Sequence, residues 1–298
     1  MKQKLLVPRK RTPKKVSSFR RPFVAGQFYE GNAEALKLQI ESCFLNKLGP
    51  KQLPKVNFHS PPQNVIGLIC PHAGYMYSGM VAAFGFFELA QAGLPETVVI
   101  LGPNHTGYGS GISLMREGLW QTPLGNIQID TKLADKILSK TNLIDVDQTA
   151  HRFEHSIEVQ LPFLQYLFGD KFKLVPICFL MQDYPSAIEV GNALIEALSG
   201  HNAIVVASSD LTHYESAKQA KQKDLSALDA ITALDAHRFY ETIETQNITI
   251  CGYAPIAALI TYAKGLNAKT KLLSYHNSGE VSGDYSHVVG YASLLFHR

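Results

Sequence analysis

Apolar residues fall along the chain in short unbroken runs separated by stretches with helical spacing. VIGLIC (65–70), TVVILG (97–102), KLVPICFL (173–180) and AIVVAS (203–208) show no polar alternation, which predicts strands covered on both faces. Shorter strand-like pieces fall around 112–115 and 127–129, and two last strands around 269–275 and 287–296. Helical spacing runs from about Ala33 to a stop at Gly49-Pro50, and a second helical stretch begins near Ser78. Others cover about 131–139, 155–168, 185–199, 217–230, 235–245 and 254–264. A Pro-rich loop leads to Asn64. Strands alternating with helices predict an α/β fold, a single domain whose mostly parallel or mixed central sheet is covered by helices. No internal repeat and no linker divides it.

Composition changes this picture in one place. Of 298 residues, 46% are hydrophobic and 18% charged, as in a globular protein with a sizeable core. The longest apolar stretches stop short of the roughly 18 residues a membrane helix needs, so no membrane span is expected. The net charge of +3 divides unevenly: residues 1–29 hold nine Lys/Arg and no acid, and the rest of the chain has 19 Lys/Arg against 25 Asp/Glu. Residues 1–19 are therefore expected to be a basic, disordered tail on a domain spanning 20–298. Like-charge runs are usually solvated, so no nucleic-acid or membrane partner is assigned to it. Cys43, Cys70, Cys178 and Cys251 are widely spaced and without a CxxC pair, which argues against a disulfide framework and for a reducing cytoplasm.

Polar clusters follow the strands. VIGLIC runs into Pro71-His72-Ala73-Gly74-Tyr75, TVVIL into Gly102-Pro103-Asn104-His105, AIVVAS into Ser209-Asp210-Leu211-Thr212-His213, and KLLSY into His276-Asn277. In an open parallel sheet, ligands bind beyond the carboxyl ends of the strands, so these loops should share one rim. A lone histidine there is more often structural, but four such clusters point to a common site. Two neutral imidazoles plus an anion suit a divalent iron, copper or zinc ion. Cys251, before a helix N-terminus that favours thiolate, is a candidate anion and equally a buried apolar cysteine. His151-Arg152-Phe153-Glu154-His155 matches H-x-x-E-H, but without an obvious third ligand its residues are better read as hydrogen-bonding partners of the site. Phosphate-binding glycine loops and the G-x-S-x-G elbow are absent.

The motifs RPFVAGQFY (21–29), PHAGYMYSG (71–79), LGPNHTG (101–107), EHSIEVQLPFL (154–164), SSDLTHY (208–214) and NSGEVSGDYSHVVGYAS (277–293) together resemble the Memo family, whose prokaryotic members are called AmmeMemoRadiSam system protein B. The resemblance covers about residues 20–298. It implies a fold similar to class III, LigB-type extradiol dioxygenases, which are non-haem Fe(II) enzymes. It also implies His72, His105 and Cys251 at the metal positions, with Asp210 and His213 beside them, and association with radical-SAM and AMMECR-type proteins. Where those dioxygenases use glutamate as third ligand, this chain would use a softer, more oxidisable cysteine, so ring cleavage does not follow from the fold.

The leading expectation is a cytoplasmic protein binding Fe(II) or copper, with zinc as a further candidate. Its catalytic residues would be His213, Asp210 and Cys251, its pocket residues Tyr75, Asn104, His155 and His276, and its ligand a small molecule or peptide. The alternatives are a metal-free hydrolase or amidase with Cys251 as nucleophile, and a non-enzymatic module binding a peptide or protein in the same cleft.

Overall fold

Strands buried on both faces need helices on both sides, and the computed structural model, which describes residues 18–298, supplies them. The basic segment and its expected disorder fall largely in residues 1–17, outside the described residues. The chain enters at β1 (Phe19–Arg20), crosses α1 (Ala33–Leu45) and forms β2 (Val65–Cys70). A π-helical turn, Tyr75–Gly79, opens α2 (Met80–Ala92), which leads to β3 (Thr97–Pro103). Three short strands follow, β4 (Ile112–Leu114), β5 (Leu119–Thr122) and β6 (Gly125–Ile129), then α3 (Thr131–Leu138) and β7 (Asp145–Val146). After α4 (Leu161–Phe168) come β8 (Lys173–Phe179), α5 (Tyr184–Leu198), β9 (Ala203–Ser208) and β10 (His213–Glu215). The chain ends through α6 (Ala217–Thr232), α7 (Ala236–Gln246), α8 (Tyr253–Gly265), β11 (Lys269–Asn277), α9 (Gly279–Ser282) and β12 (Val288–His297).

The sheet order is β1-β5-β6-β8-β3-β9-β2-β12-β10, with β11 on β12 and β4 on β8. Strands β6, β8, β3, β9 and β2 are mutually parallel, while β12 joins β2 antiparallel. Successive side chains of the parallel strands enter two separate cores. Val99, Leu101, Val205 and Ala207 pack with α5, α6, α7 and α8. Val98, Ile100, Ile204 and Val206 pack with α1, α2 and α4. In the second core the Phe163 ring stacks on Phe86 at 4.9 Å and meets Phe44 edge-on at 5.6 Å, and each such buried ring contributes about 1.5–3 kcal/mol.

The chain therefore folds as one α/β domain with a mixed sheet, as expected. One helix differs. The spacing predicts a helix over 155–168, but α4 starts only at Leu161. The backbone N–H groups of His155 and Ser156 both donate to the Glu154 carboxylate, at 2.9 and 2.8 Å, and Pro162, which lacks an N–H, fits only a first turn. A 3₁₀ turn, Glu158–Gln160, bridges the two.

Candidate metal centre

Strands β2, β9 and β3 are neighbours and parallel, so their carboxyl ends deliver His72, Asp210 and His105 to one rim. Cys251 arrives from the opposite direction, one residue before the Gly252 that caps α8. That glycine is required by space: a Cβ would lie 2.6 Å from the Ser208 carbonyl oxygen, so a larger residue would push Cys251 away from the rim. Gly252 N–H donates to Ser209 Oγ at 2.9 Å, and Gln182 Nε2 donates to the Cys251 carbonyl at 2.9 Å, which fixes the turn.

One donor atom each of His72, His105 and Cys251 lies within 4.8 Å of the others. His72 Nε2 is 3.2 Å from Cys251 Sγ. The hydrogen bonds behind the rings decide which nitrogens face this centre. Ser208 Oγ donates to the Ser156 carbonyl at 2.6 Å and accepts from Gln160 Nε2 at 2.8 Å. Its only proton is committed, so the 2.9 Å contact with His72 Nδ1 requires Nδ1–H to donate. His72 Nε2 is left with a lone pair towards the thiol. His105 is set the same way, its Nδ1 lying 2.9 Å from Glu154 Oε1. Burial pushes the Glu154 carboxyl up, but hydrogen bonding and charge from His105, the charge of His155 and the Ser156 N–H outweigh it and bring its pKa to about 2. An ionised carboxylate only accepts, so His105 Nδ1 carries the proton and Nε2 is free.

The electrostatics favour a neutral centre. Burial, followed by His155, His105 and His213, pushes His72 well below the ordinary histidine range. Burial, followed by the charge of Asp210, pushes the Cys251 thiol up. Burial also raises Asp210, against the His72 N–H that reaches its Oδ1 at 2.8 Å. Asp210 N–H in turn donates to Cys251 Sγ at 3.3 Å.

His155 stacks on His105 with ring centroids 4.6 Å apart and meets His72 edge-on at 5.3 Å. With His105 and Glu154 it forms a second set of converging donors, but Glu154 already accepts four N–H groups. His213 is anchored by N–H donation to Thr249 Oγ1 at 2.7 Å and Nδ1–H donation to the Thr249 carbonyl at 2.8 Å, which leaves its Nε2 as an acceptor. The remaining sequence candidates are engaged in contacts of their own. Tyr75 is buried between Tyr29 and Phe163, its hydroxyl donating to the Val159 carbonyl at 2.7 Å. Asn104 caps its own loop through Thr106 and Gly107. His276, two strands from β2, pairs with Glu280 at 2.7 Å. Sequence reasoning missed Ser208 and Gln160 as tautomer-setting residues; both stand inside quoted motifs, but nothing local distinguishes them from core hydroxyl and amide groups.

The H-x-x-E-H run is split by the fold. Glu154 and His155 face the rim, whereas His151 is fully enclosed against Trp120, ring centroids 5.8 Å apart. Burial, followed by the charge of Arg20, lowers His151 to about 4. Since the unfolded chain binds this proton near pH 6.5 and the folded chain only near 4, stability is full above pH 6.5 and declines between the two. The loss attributable to His151 is about 3 kcal/mol. Urea melts of wild type and His151→Leu across that window check this, the variant showing the shallower decline.

The Memo-like protein family model matches residues 20–295. This chain belongs to that family. It is 49% identical over 282 residues to a MEMO1 family protein of Methanopyrus kandleri, covering 94% of this chain and 99% of that one. It is 49% identical over 278 residues to one of Methanothermobacter thermautotrophicus, covering 92% and 99%. A Sulfolobus acidocaldarius MEMO1 family protein is 46% identical, covering 92% and 98%. An uncharacterised Escherichia coli K12 protein of known crystal structure shares the fold, with a TM-score of 0.51 at 15% identity over 78% of this chain and 99% of that one. No helix among the described residues of this Memo-like chain is long and apolar enough to cross a membrane.

Proposed function

We propose that this Memo-like protein holds a redox-active divalent ion, iron or copper, through His72 Nε2, His105 Nε2 and Cys251 Sγ, and serves as a metal-dependent oxidoreductase. The supporting observation is that Ser208 and Glu154 set both imidazoles from behind, so two free lone pairs meet one thiol. Two imidazoles and a thiolate suit iron and copper, and also zinc. Such an ion, when bound, supplies a change of oxidation state and open positions for a small ligand. The chain's own residues would do the rest. Asp210 holds the His72 backbone, and His213 Nε2 accepts a proton at the edge of the pocket. Partnership with radical-SAM and AMMECR-type proteins rests on the family resemblance alone.

The metal-free Cys251 hydrolase is the weaker reading. A catalytic thiolate–imidazolium pair needs a low thiol pKa and a high imidazole pKa, and burial drives both His72 and Cys251 the other way. Iodoacetamide separates the two. Under the metal reading, Cys251 is protected in protein purified anaerobically and becomes no more than slowly reactive after chelation; rapid alkylation of the metal-free protein at neutral pH would favour the hydrolase.

Ser208→Ala removes the acceptor that fixes His72. The expected result is a loss of about 10–100-fold in metal affinity, measured by competition with a chromophoric chelator.

A further inference from the structure

On the far side of the loop that carries Glu154 and His155 lies a second cleft, of about 590 Å³, lined by residues of β1 and the turn after it and by Arg152 and Phe153. Three of its rings are unusually open to solvent: Phe19 is 44% exposed, Phe23 47% and Phe153 38%. Phe23 and Phe153 lie 5.2 Å apart at an interplanar angle of 60°, and Tyr108 continues the row, 6.3 Å beyond Phe153. Exposed rings gathered on one surface mark a contact site more than scattered ones do. The Arg152 guanidinium sits 5.0 Å over the Phe153 ring. Neither Arg152 nor Arg21 has an acidic partner among the described residues.

The cleft's lining holds Arg20, Arg21 and Arg152 and no Asp or Glu, and of the three only Arg20 is paired among the described residues, with Glu158. In the sequence, residues 1–17, separated from Phe19 by Ser18 alone, hold Lys2, Lys4, Arg9, Lys10, Arg11, Lys14 and Lys15 and no Asp or Glu. Beyond residue 29 the chain has a net acidic excess, whose overall field disfavours a polyanion, whereas the cleft's lining is basic. Phe19 and Phe23 follow the basic run in the sequence, and the fold adds Phe153 beside Phe23 and Tyr108 beside Phe153. A flexible partner with regularly spaced negative charges and flat apolar faces fits both features. An acidic peptide supplies the charge but few rings, and the chain's own basic segment has the wrong sign.

We propose that this cleft is a binding site for single-stranded nucleic acid, with bases against Phe23 and Phe153 and phosphates on Arg21 and Arg152. The site shares no residue with the metal centre. The test is fluorescence anisotropy of the full chain with a labelled 20-nucleotide oligouridylate across a salt series. The site predicts binding that weakens steeply with salt. It predicts at least a roughly ten-fold loss for Phe23→Ala/Phe153→Ala, one stacking contact being worth about that much, with the circular-dichroism melt unchanged. Arg21→Ala/Arg152→Ala should lower the slope of log affinity against log salt by roughly 1.4. Absence of binding at low salt would overturn the proposal. So would unchanged affinity in the aromatic variant, which would leave only charge attraction by the basic segment. Equal displacement by a polyglutamate peptide of matched charge would also overturn it, in favour of an acidic protein partner. Should the aromatic variant melt early, the arginine variant decides alone.

Discussion

Replacing Glu158 by alanine is expected to destabilise the protein by about 3–5 kcal/mol, because it strands a buried cation. Glu158 and Arg20 are both enclosed and form an ion pair through Arg20 Nη1. The carboxylate also accepts from Phe23 N–H at 2.9 Å, Val24 N–H at 3.0 Å and the Tyr29 hydroxyl at 2.5 Å, so one side chain ties down the segment from residue 20 to residue 29. Arg20 continues inward, donating to the backbone carbonyls of His151 at 3.0 Å and Glu154 at 2.6 Å. The loop that aims Glu154 at His105 is thus held by the same pair. Thermal melts should show a fall of roughly 10 °C, and Glu158→Gln, which keeps one acceptor oxygen but sets an NH2 donor against the remaining donors and carries no charge, should also melt well below wild type. A loss below about 1 kcal/mol would mean that the N-terminal segment is held by its apolar contacts alone.

This anchor also shows what a linear reading misses. Strands β2, β3, β8 and β9 were legible because burial on both faces leaves them continuously apolar, and the helices of both layers were legible from their spacing. Strands β1, β5, β7 and β10 were not. Phe19–Arg20 and Asp145–Val146 are two residues long, and β10 is an edge strand whose register shifts around Tyr214, at φ 61°. Pairing partners far away in sequence create such strands, and local pattern carries no sign of them. The same limit governs the site. The rim positions of His72, His105 and Asp210 follow from strand ends alone, since three adjacent parallel strands must open on one side. Cys251 is brought there by the packing of α8 on the sheet, and Ser208 acquires its role only because Ser156 and Gln160, some fifty residues earlier, use up its proton and one lone pair.

Removing a donor from the centre should have the second large effect. Cys251→Ser replaces a soft, anionic donor by a hard, neutral hydroxyl, and His105→Ala removes one of the two lone pairs outright. Each is expected to lower metal affinity by at least about a hundred-fold, enough to leave the protein almost metal-free after anaerobic purification and dialysis. Elemental analysis against wild type measures this. Melting curves recorded without metal should differ little for Cys251→Ser, because Ser209 and Asp210 can hydrogen-bond a hydroxyl as they do the thiol. A drop in metal content therefore reports ligand loss and not unfolding. His276→Ala, altering a histidine engaged with Glu280 away from the centre, serves as the control and should retain the wild-type metal content.

The most direct measurement is X-ray absorption at the metal edge of the anaerobically purified protein. A centre built from His72, His105 and Cys251 requires one sulfur scatterer at about 2.3 Å and imidazole nitrogens at about 2.0–2.1 Å, with the sulfur contribution lost in residual metal bound to Cys251→Ser. A first shell of nitrogen and oxygen alone in the wild-type protein would contradict it.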